Sequence, residues 1–518
     1  MDHRRMRTLT RNFAAGCVLV CGGRLLSQVA VPPSGGAVPV ESTAGSATTV
    51  ADEVRELRAI VEDMREENRI SRAEMKQLRG ELQSTRALLE RVAGIHDAAT
   101  PETVVPAPLP LEMRVEKLEE SGALLGAKVD EQYQTKVETA SKYRARLSGI
   151  VLMNAFRNHG ISNNFDYPDF AVAAPGLPQS GFGTTLRQSE IALEIFGPNL
   201  AGAKASANIH LDFGGGLPST ANGVNFGIVR LKTASLRLDW ENTSFVAGQD
   251  ALFISPQSPT SFASLATPAF AYAGNLWGWI PQIRVEHRFE FSNRQRVTLQ
   301  AGIMDNLTWD FPANSFYRSA QAGEQSGQPA YAVRTAWSRP VQDREIVFGA
   351  AGYYGRQNWG SGRSVDGWAG MADWQVPLMR RLTLSGEFYR GRGVGGLGAG
   401  IGRSVLYGGL PYLTTTSIRG VDSAGGWSQL KVQVTPRVEM NGVFAQDDAF
   451  SSDVRGFASD LNNGGTILGR NRGGSGNVIF RPRSDLTFSA EIRRLRSFPI
   501  YSSSRVTNQL NLAMGILF

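Results

Sequence analysis

The sequence predicts an all-β membrane protein: a 16-stranded antiparallel transmembrane β-barrel with an N-terminal periplasmic coiled-coil helix. Three observations carry this. The chain ends on a strand in which Leu510, Leu512, Met514, Ile516 and Phe518 share one parity, while Gln509, Asn511, Ala513 and Gly515 hold the other. A period of two with one apolar and one polar face is the unit of a barrel wall. From Tyr143 onward such segments recur, joined by connections that alternate between short and long. Finally, no stretch beyond the N-terminus is apolar enough for a membrane helix, and only closed barrels otherwise satisfy backbone groups in lipid.

Residues 1–30 read as a signal peptide. Arg4, Arg5, Arg7 and Arg11 precede a short apolar run, Phe13 to Val20, too short to span a bilayer as a helix. Cleavage falls after Ala30 or Ala37. Val18-Leu19-Val20-Cys21 loosely matches a lipoprotein box, but Val20 is large where a small residue belongs. Cys17 and Cys21 are the only cysteines, so a processed chain has no disulfide and no thiolate metal site. The net charge of +7 is concentrated here: residues 1–30 hold five arginines and one aspartate. The small excess that remains argues against a nucleic-acid partner.

Residues 31–50 are rich in Pro, Gly, Ser, Ala and Thr and read as a disordered linker. Over 51–94 the period changes to seven. Val54, Val61, Asn68, Met75, Leu82 and Leu89 form one register of a coiled-coil seam; Leu57, Met64, Ser71, Leu78, Thr85 and Val92 form the other. Asn68 is placed to fix register. The competing reading is an amphipathic helix packed on its own domain; strict heptad spacing and a charge-rich outer face favour self-association. At about 1.5 Å per residue the helix reaches some 60 Å. The heptads do not choose between two and three strands, because Val, Met and Leu are mixed at both seam positions. Residues 95–142 form a Pro-rich linker with a short second helix around Val115, Leu118 and Leu125.

The barrel occupies 143–518. Strands are expected near 143–156, 184–196, 203–214, 226–240, 244–254, 281–290, 296–306, 329–339, 344–356, 365–376, 382–391, 426–435, 437–447, 476–483, 484–496 and 506–518. Short connections such as Gly197-Pro198-Asn199, Glu241-Asn242-Thr243 and Pro436 read as periplasmic turns. The long stretches 157–183, 307–328, 392–425 and 448–475 read as external loops. Both termini then lie on the periplasmic side. Within strands, Ile191, Leu193 and Ile195 alternate with Glu190, Ala192 and Glu194; Leu486, Phe488 and Ile492 alternate with Thr487, Ser489, Glu491 and Arg493. The polar set is expected to face a wet lumen, because a charge on the lipid face costs about 2–4 kcal/mol at midplane. Trp337, Trp368, Trp374 and Trp427 are candidates for the aromatic girdles, with ordinary packing as the even alternative.

Specific motifs carry a resemblance. They are Trp240-Glu241-Asn242-Thr243-Ser244-Phe245-Val246-Ala247-Gly248-Gln249, Gly386-Glu387-Phe388-Tyr389-Arg390-Gly391, Glu491-Ile492-Arg493-Arg494-Leu495-Arg496, and the terminal Phe518, which looks like the sorting signal read by the barrel-assembly machinery. On these the chain resembles the DcaP-like trimeric outer-membrane porins and, more distantly, the phosphate-selective porins. The resemblance implies a homotrimer in outer-membrane lipid, an ion-transporting or solute-transporting barrel and a periplasmic coiled coil. It implies no cofactor.

The connection 255–280 is the candidate pore-narrowing loop; an outward loop at a subunit contact is the alternative. Arg237, Arg284, Arg334, Lys431 and Arg493 have inward parity and, as pore-lining residues, would favour anions. Inward acids Glu190, Glu194, Asp212, Asp239, Glu286, Glu387, Glu439 and Glu491 oppose them, and mutual pairing is the plainer reading. Gly393-Val394-Gly395-Gly396-Leu397-Gly398 spells a dinucleotide fingerprint with no following helix, so a flexible outer loop is favoured. Asp447, Asp448, Asp453 and Asp460 read as a solvated acidic loop rather than a calcium site. His159 is placed in an outer loop, with His210 and His287 on strands. No nucleophile elbow or metal pair points to catalysis. The expected function is a porin for small hydrophilic solutes with mild anion preference. The rival is an envelope tether whose coiled coil contacts peptidoglycan or a periplasmic partner.

Overall fold

The computed structural model describes residues 136–137, 144–216, 227–291, 294–308, 318–341, 344–457 and 467–518. The signal peptide, the seam from Val54 to Leu89 and the linkers lie outside these residues.

Alternation folds as alternation. The wall strands are β1 (Arg144–His159), β2 (Glu190–Leu200), β3 (Ala203–Asp212), β4 (Arg230–Asp239), β5 (Thr243–Ala251), β6 (Trp279–Phe291), β7 (Gln295–Met304) and β8 (Ala330–Val341). They continue as β9 (Arg344–Asn358), β10 (Ser364–Met379), β11 (Leu382–Arg392), β12 (Asp422–Thr435), β13 (Val438–Asp448), β14 (Leu468–Phe480), β15 (Leu486–Pro499) and β16 (Arg505–Leu517). Each pairs antiparallel with the next. β16 pairs with β1, so the barrel is closed at sixteen strands. The last rung is the C-terminus itself: the Gly149 and Phe518 amides each donate to the other's carbonyl, at 2.9 and 3.1 Å. Among the described residues no helix is long and apolar enough to cross a membrane.

The two faces separate cleanly. On β16 the outward Leu510, Leu512, Met514 and Ile516 are each about half exposed, while inward Gln509 and Asn511 are buried. Apolar rows outward and polar rows inward are the division expected of a barrel wall whose outer face would meet lipid. The connections divide by end. Gaps of a few residues close β2–β3, β4–β5, β6–β7, β8–β9, β10–β11, β12–β13 and β14–β15 at one end, the turn end; most of the connections at the other, the loop end, are long.

Several details depart from the sequence reading. The second strand is broken: Ser180–Thr185 and Glu190–Leu200 both pair with β1, and Leu186–Ser189 step off the ladder between them. Gln188 uses that break to turn its side chain into the barrel. β14 starts eight residues before the expected 476, at Leu468, because its glycine-rich first half hides the alternation. His159 ends β1 rather than lying in a loop. Trp337 and Trp368 face outward near opposite ends, but Trp427 has inward parity and is buried against Phe270 and Leu495. Asp447 is likewise a buried strand residue, not part of a solvated loop.

Candidate functional site

The loop joining β5 to β6, residues 252–278, enters the barrel. It contains no Asp, Glu, Lys, Arg or His, which suits a segment that loses solvent on its way across an interior. Its backbone and hydroxyl groups are met by polar side chains from strands far apart on the wall. Ser255 Oγ and the Gln257 amide donate to Glu387 of β11. The Thr260 amide donates to Gln429 Oε1 of β12 at 2.7 Å, and Asn477 of β14 donates to the Thr260 carbonyl at 2.8 Å. Ser261 Oγ donates to Glu491 of β15 at 2.6 Å and accepts from Arg493 at 3.1 Å. Asn154 of β1 donates to the Phe262 carbonyl at 2.8 Å. Gln188 clasps both sides of the loop, donating to the Ala263 carbonyl and accepting from the Leu265 amide. Lys232 and Arg230 of β4 donate to the carbonyls of Leu265 and Ala266.

The return leg is apolar. Ala269, Phe270 and Ala273 pack with Trp427, Val443, Ala445 and Leu495. Gly274 passes so close to the wall that a Cβ there would stand 2.3 Å from the Gln446 carbonyl and 2.4 Å from the Gly426 nitrogen, and its φ of +98° also favours glycine. The base of the loop, Leu252, Phe253, Ile254 and Leu276, joins inward Ile280, Met304, Ala330, Ala332, Tyr353, Ala369, Met371 and Tyr389 in one buried cluster.

The 393–421 loop completes that cluster with Val394, Leu397 and Ala399. The fingerprint-like glycine run is therefore not a flexible outer loop: Gly395–Leu397 is a buried 3-10 turn whose Leu397 carbonyl accepts from the Trp277 amide at 3.1 Å. Tyr389 and Asp447 anchor it. The Tyr389 hydroxyl donates to Asp447 at 2.7 Å and accepts from the Gly400 amide at 3.0 Å, and the Ile401 amide donates to the other Asp447 oxygen at 3.1 Å.

The charged candidates all carry inward parity, yet they divide into two groups. Arg284, Arg334, Arg493 and Glu491 are buried. Arg284 pairs with Asp250 and Glu286, both at 2.8 Å. Arg334 forks onto both Asp373 oxygens at 2.9 and 2.8 Å. Arg493 pairs with Glu491 at 2.8 Å under the crossing loop. Glu190 is met by Lys232 and by His210 Nε2. Toward the turn end, Arg237 and Lys431 keep 34% and 37% of their side chains exposed. Arg237 pairs with Asp239 and Glu286, and Lys431 shares Glu439 with Arg481 at 3.5 Å each. Among the remaining polar clusters, Asp448 pairs with Arg470, Asp453 pairs with Arg419, Asp460 lies outside the described residues, and His287 bonds Thr243.

Sequence reasoning missed Asn154, Gln188, Gln429 and Asn477. The usable signal was the charge-free stretch 252–278 opposite inward amides on β1, β12 and β14. An uncharged loop with many hydroxyls and carbonyls is matched by uncharged amides, which can donate and accept at once.

The sequence matches no family model and no curated protein. The structure is similar to that of the outer membrane channel DcaP of Acinetobacter baumannii, at 12% identity and a TM-score of 0.55, covering 74% of this chain and 99% of that one. It is also similar to an anion-selective porin from Comamonas acidovorans, at 11% identity and a TM-score of 0.44 over 73% and 100% of the two chains, and to Pseudomonas putida OprB, at 13% and 0.42 over 73% and 94%. The last two scores are too low to carry weight. The expected likeness to the DcaP-like porins therefore holds as a likeness of fold: this chain is a porin-like, 16-stranded barrel of the DcaP shape.

Proposed function

We propose that the chain is an outer-membrane porin, a diffusion channel for small hydrophilic solutes narrowed by the 252–278 loop. The observation that carries this is the loop itself, fastened by side chains of β1, β4, β11, β12, β14 and β15. A barrel that served only as an anchor has no need of a loop whose polar groups are matched this completely around the wall. In this reading the turn end and both termini face the periplasm, and residues 51–94 trimerise there. Phe518, whose backbone closes the barrel, serves as the sorting residue.

A mild anion preference belongs to the turn-end vestibule rather than to the buried arginines, whose charge is cancelled at contact distance. Lys431 and Arg481 share the single carboxylate of Glu439. Arg288 is held by the Ser244 hydroxyl and the Glu241 carbonyl, with no acid within 4 Å among the described residues. Glu345, on the inward parity of β9, opposes them. Fixed positive charge in an aqueous pore enriches anions.

The buried apolar cluster at the loop end favours the tether reading instead, since it fills part of the lumen. Single-channel recording of the full chain in planar bilayers separates the two. Discrete conductance steps are expected, and a reconstituted barrel without them would leave the tether standing. Native mass spectrometry is expected to give a trimer that weakens when residues 51–127 are deleted.

A further inference from the structure

The outward face of the loop end is not uniform. Along β11–β13 its arginines meet acids. Arg390 and Arg392 of β11 reach Asp422 of β12 at 3.0 and 3.9 Å, and Arg470 of β14 reaches Asp448 of β13 at 2.6 Å. Along the arc from β14 through β16 to β1 the acids stop. Arg472 stands directly opposite Arg496, Arg494 stands opposite Asn508, and Asn508 in turn stands opposite His159, with Arg157 two residues before. Among the described residues none of Arg157, Arg472 and Arg494 has a carboxylate within 4 Å, and Arg496 is bonded only to the Ser504 hydroxyl.

Like charges facing each other across a ladder are unfavourable, yet here they are drawn together. The guanidinium carbons of Arg470, Arg472 and Arg496 lie 5.9, 5.1 and 4.9 Å from the centre of one ring, Phe498. Directly below, toward the turn end, the same strands turn apolar: Ile492, Leu510, Leu512, Met514 and Phe480 are all exposed. The basic cluster therefore sits where the bilayer-facing band ends.

We propose that Arg472, Arg494 and Arg496, with Arg157 and His159 at the rim, bind the phosphoryl headgroup of a membrane amphiphile whose tails lie on the apolar rows of β15 and β16. Guanidinium groups fork onto phosphate oxygens, and a phosphate supplies the anion that the chain withholds from this arc. A self-associating interface fits less well, because a second copy would bring the same unmatched cations. The site requires only that the barrel sit in a bilayer, not that it conduct.

The test uses the full chain in detergent micelles, with diphosphorylated lipid A and its dephosphorylated form as probes, read by native mass spectrometry. The wild-type protein should retain the phosphorylated form roughly tenfold more strongly. The R472Q/R494Q/R496Q variant should lose that preference, and the control R390Q/R392Q on the matched arc should keep it. Equal retention of the two probes by wild type overturns the proposal without need of any variant. Displacement by millimolar inorganic phosphate overturns it in favour of a soluble-anion site. Undiminished lipid retention by a triple variant that has lost its oligomeric state overturns it in favour of an interface between copies.

Discussion

The two halves of the lumen are built from the same alternating strands and end differently. At the loop end, inward positions are apolar or are ion pairs sealed from water, as at Met304, Met371, Tyr389 and the Arg493–Glu491 pair. At the turn end, inward positions such as Arg237, Lys431 and Arg481 keep about a third of their side chains in solvent. The difference lies in the connections, not in the strands. Long loops can fold back and cover what they reach, whereas turns of two to five residues cannot. Inward parity thus says where a side chain points; the length and charge of the nearest connection say whether it is wet.

The largest effect should come from removing the cover. Replacing residues 256–274 with a short Gly-Ser link should raise single-channel conductance several-fold. Unchanged conductance would mean that the loop does not bound the path. Next is the pair beneath it. Glu491→Leu leaves Arg493 buried without its partner, at a cost of about 3–5 kcal/mol. The temperature at which the folded band converts on a gel should fall clearly for this variant, while Glu439→Gln in the open half should barely move it.

Selectivity should follow the wet half. Lys431→Gln with Arg481→Gln should shift the reversal potential toward cations at 0.1 M salt, where the Debye length is about 10 Å, and lose the effect at 1 M, where it is about 3 Å. Arg334→Gln combined with Asp373→Asn should leave it unchanged, because the pair it removes is already neutral; a shift as large as that of the vestibule variant would break the division between the halves.

The smallest effect concerns the 160–179 connection over the loop end. Burial pushes the Asp169 carboxyl up to about 7, against the hydrogen bond from Asn163 and the Arg493 charge, which pull it down. The packed loop therefore favours the neutral acid. That stabilisation is complete below the ordinary carboxylate range and is lost as pH rises through about 7. Amide exchange in 160–179, corrected for intrinsic rate, should speed up between pH 5 and pH 8, and Asp169→Asn should flatten the profile.

What the sequence made legible follows the same division. Sixteen strands and their order could be read because a barrel wall with unlike faces enforces period two, whatever else changes. β14 was misplaced where Gly473, Gly474 and Gly476 supply no alternation to read. Arg284 and Arg334 could be assigned to the inner face but not to their partners, since Asp250 and Asp373 reach them across neighbouring strands or a strand beyond. Trp427 was read as a girdle residue from its place near a strand end, when its parity with Gln429 and Lys431 already pointed inward. The docking of the 393–421 loop was invisible, because glycine runs look the same in water and in a packed turn.

The Gly149–Phe518 rung has a kinetic consequence. Every other strand pair joins neighbours along the chain, so fifteen pairings can form as hairpins extend one another. The sixteenth joins residues roughly 370 positions apart, and an unassisted chain of that length would meet an entropy barrier of roughly 5 kcal/mol in bringing them together. Until it forms, β1 and β16 are two long open edges, able to pair with any other unfinished chain. Loss of the last few residues should therefore be felt less as a missing contact than as a seam that never shuts, leaving a sheet that aggregates before it can become a tube.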